Sequence, residues 1–370
     1  MKRNVQLDFL RFIGVFLVMV AHMYIISNKT FLDKFFLVIH VGGWTGVDLF
    51  FVLSGYLVSG LIMKELKLYG SFNATRFLIR RGFKIYPTYY LYIIFIFIMG
   101  KFIPGLHHQP TLTGLFHESI FVTNYFSFNS VHLWSLSVEE HFYFVLAILF
   151  LILIRYKKVN LKVFILIYVF LLIEGIGFRL YNYLHSTGYD FSKQYTKSHF
   201  RFDSLFFGVL IAYMVNYHLD IINSIVNYRY RIIFILLSVG VLSTNFIFER
   251  ADYPFIAVSN LALNPICYGY LMLVVINIKN EIFVKIITPL AYIGMYSYSL
   301  YLFHFFFNNV SIHFIKQGGY WYYLAYFSTA VIGGIVISKC VEYPLINIRE
   351  KYFPSRSRAK KSQPAFEKGF

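Results

Sequence analysis

Residues 7–26 read LDFLRFIGVFLVMVAHMYII. The run matches the ~20 apolar residues that a bilayer's hydrocarbon core requires, so it predicts a membrane-spanning helix. Arg11 and His22 break the pattern. Arginine at the centre of a span costs roughly 2.5–3.5 kcal/mol on insertion scales, and an ionisable group inside a membrane implies a partner and a function. At 100° per residue, His22 returns to within about 20° of the Arg11 face, ~16 Å further along the axis. Asp8, one turn before Arg11, is placed to pair with it. One polar stripe therefore runs along the first helix.

The rest of the 370-residue chain has the same character. Hydrophobic residues make up 58% and charged residues 14%, against about 25% charged in soluble domains. Too little polar surface remains to cover a soluble body. The expected class is all-α, a polytopic transmembrane helical bundle. The long continuous apolar runs exclude a barrel, whose strands alternate. A net charge of +17 would suggest nucleic acid in a soluble protein. Membrane proteins, however, collect Lys and Arg in cytoplasmic loops, and the chain has no zinc-finger spacing or solvated basic helix. The lipid bilayer is the expected partner and nucleic acid is not. Cys267 and Cys340 lie in apolar segments and read as core residues. No small-x-small cleavage site follows His22, so the first run is an uncleaved span.

Apolar windows fall at about 9–26, 44–63, 85–103, 134–154, 161–180, 203–217, 231–248, 257–277, 287–308 and 321–341, which predicts ten spans. The sixth is short and the eighth contains Pro265. The stretch 114–127, with His117 and Glu118, reads as a surface or re-entrant segment. Lys and Arg on one set of ends and loops outnumber those on the other by more than two to one, so both termini are expected in the cytoplasm. Residues 1–348 form the expected membrane domain. Residues 349–370 form a basic, disordered tail lying near anionic lipid.

With that orientation, polar groups of several helices share one depth. Asp48 stands at the outer end of span two, with Ser54 near its middle. Trp134, Ser135, Ser137, Glu139 and Glu140 open span four. Arg179, Arg201 and Asp203 flank spans five and six, and Ser297, Tyr298 and His304 lie along span nine. This is the pattern of a buried polar chamber. On the cytoplasmic side Arg76, Arg80, Arg81 and Lys84 precede IYPTYY. Arg76, Arg80 and Lys84 fall at i, i+4, i+8, either as a phosphate clamp or as ordinary positive-inside charge. His304 and His313 are equally readable as hydrogen-bonded helix histidines, and Glu342 as a group that caps or pairs at the end of span ten. His107, His108, His117 and His132 crowd one outer loop without zinc spacing, and no metal is expected.

The stretches LDFLRFIGVFLVMVAH, GVDLFFVLSGYL, RRGFKIYPTYY, HLWSLSVEEHFYF, FDSLFFGVLIA, IGMYSYSLYLFH and VEYP, in this order over about residues 5–348, together resemble the acyltransferase-3 family of integral membrane acyltransferases. The resemblance implies ten core spans. It also implies transfer of an acyl group, often acetyl, from cytoplasmic acyl-CoA to an acceptor reached from the outer side, usually a sugar of a surface or secreted glycan. The family's Arg-x10-His falls on Arg11 and His22, with His22 the catalytic residue. Its cytoplasmic Arg-x-x-Arg falls on Arg81 and Lys84, a departure, because lysine neutralises a phosphate without forming a bidentate fork. Some relatives carry a soluble esterase-like domain. Here that activity is expected to be absent or on another protein.

The expected mechanism follows. CoA phosphates lie near Arg76, Arg80, Arg81 and Lys84, with Arg11 on the donor's path along span one. His22 is the general base toward a sugar hydroxyl, and Glu139 or Glu140 orients it; an acyl-histidine is the variant. Ser54, Ser297 or Tyr298 donates to the oxyanion. Asp48, Ser54, Trp134, Ser297, Tyr298 and His304 are the candidate substrate-facing groups. Acetyl-CoA is the expected donor, the bacterial inner membrane the expected location, and self-association or glycan-synthesis partners are open to the chain. The rival reading is a glycan-intermediate transporter or flippase. Against it, the chain lacks the internal repeat and paired broken spans common in transporters. A structural subunit of a glycan synthase is a third reading.

Overall fold

Backbone in hydrocarbon has no water to bond, so each apolar window must pair its own N–H and C=O groups. In the computed structural model the windows are accordingly helical. The structure describes residues 4–25, 30–102, 109–185, 194–227, 229–315 and 319–356. Among these the helices are α1 (Val5–Ala21), α2 (Phe31–Gly42), α3 (Gly46–Tyr69), α4 (Ala74–Phe102), α5 (Leu112–Ser119), α6 (Trp134–Arg155), α7 (Leu161–His185), α8 (Phe202–Tyr217), α9 (Leu219–Asn227), α10 (Arg231–Ile247), α11 (Pro254–Ile276), α12 (Glu281–Gly294), α13 (Ser297–Phe314), α14 (Tyr320–Ile337) and α15 (Tyr343–Tyr352). A π-helical turn, Ser338–Glu342, joins the last two.

The expectation of ten spans is narrowed. Six helical segments are long and apolar enough to cross a membrane, or up to eight if each of two bent pairs is one span. The bends are 108° between α8 and α9 and 61° between α12 and α13. The single window 287–308 is thus two helices. The first run also stops early: α1 has 17 residues, is N-capped by Asn4, whose side chain accepts the Leu7 N–H at 2.9 Å, and ends with His22 as its C-cap. Of the expected tail, residues 349–352 are helical, and 357–370 lie outside the described residues.

Helix α1 is central, packed against α2, α3, α11, α12 and α13. Glycine permits the closest crossings. A Cβ on Gly55 of α3 would strike the Leu205 carbonyl oxygen of α8, and one on Gly208 would strike the Val52 carbonyl oxygen. The two backbones touch there, as small residues allow in membrane bundles. At the periphery α7 leaves Leu166, Phe170 and Ile173 exposed, apolar surface that only lipid would cover favourably.

Candidate active site

A cavity of about 700 Å³ runs between α1, α3, α4, α6 and α13, inside the ~300–1,000 Å³ range of ligand pockets. Its basic end is formed by Asn4 at the start of α1, Lys64 near the end of α3 and Arg81 near the start of α4. Its inner end lies at Ser135 and Tyr301. The two ends are separated by the rise of α3 and α6, which is why Ser54 and Glu139 fall between them.

The cations at the basic end differ in their commitments. Arg11 is paired with Asp8 at 2.9 Å. Lys84 is paired with buried Glu342, which also accepts from Ser338 (3.0 Å) and Ser299 (3.3 Å). Arg81 lines the cavity with its guanidinium 5.8 Å from the Tyr143 ring. Arg76 and Arg80 turn elsewhere. Arg76 donates to the Pro354 carbonyl; Arg80 donates to the Phe353 carbonyl and pairs with Glu350 at 2.8 Å. The four cations expected as one clamp are therefore divided. At 100° per residue Lys84 stands about 40° from Arg80 and about 60° from Arg81, so packing, not spacing, sorts them.

Midway, Tyr143 OH donates to Glu139 at 2.5 Å and lies 2.6 Å from Ser54 Oγ, which also donates to Glu139 at 3.3 Å. Glu140 is not among the lining residues; it accepts from Tyr86 OH at 3.0 Å. Ser297 and Tyr298 line the cavity, but the Tyr298 hydroxyl is spent on the Ile85 carbonyl at 2.6 Å. At the inner end Ser135 Oγ and Tyr301 OH are 2.5 Å apart, and Tyr301 donates to the His132 carbonyl at 2.8 Å.

Behind Tyr301 lie the histidines. His304 is buried, and its ring is 5.8 Å from that of Tyr301. Its Nδ1 is 2.5 Å from the Tyr301 carbonyl oxygen and its Nε2 is 3.0 Å from Nδ1 of His22. A carbonyl only accepts, so His304 Nδ1 carries the proton. Neutral His304 then accepts at Nε2 from His22 Nδ1–H. That leaves the lone pair of His22 on Nε2, the tautomer a general base needs. His22 itself is half-buried. Its carbonyl, left over at the helix end, accepts from Asn308 Nδ2 at 2.6 Å, and Asn308 in turn accepts from Tyr322.

The group hydrogen-bonded to the His22 ring is thus His304, where a carboxylate was expected. Glu139 bonds Tyr143 and Ser54, and Glu140 bonds Tyr86. Asp48 is also away from the cavity. It is fully buried, ion-paired with Arg201 and bonded by Asn264 at 2.9 Å. Trp134 packs between Phe51 and Tyr195, at ring separations of 6.0 and 4.7 Å. A second buried pair, Arg179–Asp203, stands nearby on α7 and α8. Outside the spans, Glu118 on α5 accepts the backbone N–H groups of Asn129 (2.8 Å) and Ser130 (2.7 Å). Burial pushes its carboxyl up to about 7 against those bonds. Among the described residues no three His, Cys, Asp or Glu side chains gather as a metal site would require. His107 and His108 lie outside the described residues.

Sequence reasoning missed Lys64, Tyr143, Tyr301 and Asn308 as site residues. Tyr143 and Asn308 each lie one turn after a chosen residue, Glu139 and His304. Among 32 tyrosines, that signal is weak.

The family described as "Acyltransferase domain" matches residues 4–339. A Staphylococcus aureus (strain COL) protein named as a candidate O-acetyltransferase is 28% identical over 330 residues, covering 81% of this chain and 50% of that protein. Peptidoglycan O-acetyltransferase OatA of Listeria monocytogenes is 28% identical over 290 residues, 71% of this chain and 44% of its own. O-acetyltransferase OatA of Staphylococcus aureus (strain NCTC 8325 / PS 47) is 28% identical over 296 residues, 71% and 46% respectively. The chain spans about half the length of these curated relatives. No solved structure matches it.

Proposed function

The chain belongs to the acyltransferase-3 family, and from that premise we propose that it is a multi-pass membrane O-acyltransferase of the bacterial inner membrane. It transfers an acyl group, acetyl first among candidates, from acyl-CoA to a hydroxyl of a cell-envelope glycan. The peptidoglycan named for one relative is the first acceptor to try. Both termini are cytoplasmic in this reading, so the donor, a substrate and not a resident cofactor, enters by the cation-lined end of the cavity.

One observation carries the reading: the bond chain from the Tyr301 carbonyl through His304 to His22, which leaves His22 Nε2 unprotonated. His22 takes the proton of the acceptor hydroxyl as that oxygen attacks the thioester carbonyl. The new O–C bond forms, the C–S bond breaks, and the thiolate recovers the proton from His22. His304 keeps the ring oriented and spreads the developing charge, as the third member of a triad does. Ser135 and Tyr301 carry the hydroxyls at the inner end; either O–H, swung from the His132 carbonyl toward the thioester oxygen, supplies an oxyanion donor. Tyr301 lies between cavity and imidazoles, so its side chain must yield for the acyl group to reach His22. Glu139, Ser54 and Tyr143 bond the donor's amide-bearing arm on its way. No observation favours the transporter reading.

The test compares wild-type and His22→Ala protein in membranes given labelled acetyl-CoA and a cell-envelope glycan fraction. Label on the glycan with wild type alone is expected. Equal labelling by both would make His22 structural and remove the mechanism.

A further inference from the structure

The cavity holds more positive charge than its own carboxylates offset. Four cations line it: Arg11, Lys64, Arg81 and Lys84. Asp8 compensates Arg11 and Glu342 compensates Lys84. The remaining lining carboxylate, Glu139, is bonded by Tyr143 and Ser54. Among the described residues, Lys64 and Arg81 make no hydrogen bond or ion pair. They come from different helices, α3 and α4, and both line the basic end of the cavity. Arg81 is partly offset by the nearby Glu139 carboxylate, whereas Lys64 has no carboxylate partner among the described residues, and a half-buried cation without one is costly to keep unless a ligand brings the charge. The surplus positive charge calls for an anionic ligand, and phosphate groups have that charge and the acceptor oxygens to match.

The neighbouring cations are engaged otherwise. Arg76 and Arg80 bond the carbonyls of Pro354 and Phe353, while Arg356 pairs with Glu65 at 3.1 Å and its carbonyl accepts from Tyr69. This set fastens the segment 353–356 to α3 and α4. It does not face the large cavity.

We propose that Lys64, acting with Arg81, binds the phosphates of the donor, and that Arg76 and Arg80 instead hold the C-terminal segment in place. The proposal rests on the acyl-CoA reading given above. Its test is the donor dependence of the full-length, detergent-solubilised protein with two donors, acetyl-CoA and acetyl-pantetheine, the second lacking every phosphate. Lys64→Gln is expected to raise KM for acetyl-CoA tenfold or more, with kcat within about twofold and KM for acetyl-pantetheine unchanged. Lys64→Arg, which keeps the charge, restores the wild-type KM. Lys67→Gln, which removes a neighbouring lysine of α3 outside the cavity lining, leaves both constants unchanged. An unchanged KM for acetyl-CoA in Lys64→Gln, or an equal rise for both donors, would overturn the proposal. Absence of transfer from acetyl-CoA by the wild type would overturn the acyl-CoA reading itself, and this assignment with it.

Discussion

In the proposed mechanism little of the chemistry of His22 resides in the residue itself. The lone pair assigned to its Nε2 depends on His304, which accepts from its Nδ1, and on the Tyr301 carbonyl, which fixes His304 in turn. His304→Ala is therefore expected to lower kcat by about 10²–10⁴-fold, the usual worth of general acid–base catalysis. Donor KM stays within about threefold, and the melting temperature is little changed. Glu139→Gln should act the other way, raising donor KM more than it lowers kcat, because Glu139 lines the cavity through which the proposed mechanism brings the donor. Steady-state kinetics of the two variants separate the assignments. If Glu139→Gln took the catalytic loss and His304→Ala did not, the carboxylate would regain the orienting role.

At the scale of elements, crossings and caps position these side chains. The α3–α8 crossing depends on Gly55 and Gly208 meeting backbone directly. Gly55→Val forces the helices apart and should destabilise the protein by about 1–3 kcal/mol, as overpacking does, and a thermal melt in detergent would register it. The break between α12 and α13 starts a new helix at Ser297, which brings Ser297, Tyr301 and His304 to one side of α13 and toward α1 and α6. The segment 109–130 is organised by Glu118. Its carboxyl is raised to about 7 by burial, above the ordinary value of about 4.3. The folded state thus binds the extra proton between those values. Stability from this group is fully present below about pH 4 and is lost as pH rises through about 7. Glu118→Gln, which stays neutral, should flatten the fall in melting temperature between pH 5 and 8. An unchanged slope would mean that the wild-type carboxyl titrates normally.

For the whole molecule, two buried ion pairs tie the second half of the chain to the first. Asp48–Arg201 joins α3 to the turn before α8, and Arg179–Asp203 joins α7 to α8. Asp48→Ala leaves the Arg201 charge buried and unpaired, at a cost of about 3–5 kcal/mol. The expected result is a sharp drop in folded protein recovered from membranes. A well-folded Asp48→Ala protein with only a raised acceptor KM would return Asp48 to the substrate-facing group.

The helices, their apolar runs of membrane length and the family are legible in the linear chain, as are the charged positions Arg11, His22, Arg81 and Lys84. Those features are local. Apolar runs in hydrocarbon have helix as their only open-ended solution, and motif spacing survives whatever the packing. Which ionisable groups meet depends on packing between distant segments. The partner of His22 lies 282 residues away, that of Asp48 lies 153 away, and that of Lys84 lies 258 away. Depth alone put the carboxylates beside His22. The rotation of each helix about its own axis turned Glu139 to Tyr143, Glu140 to Tyr86 and His304 to His22. That rotation is set by side-chain packing between helices distant in sequence, and no local spacing encodes it.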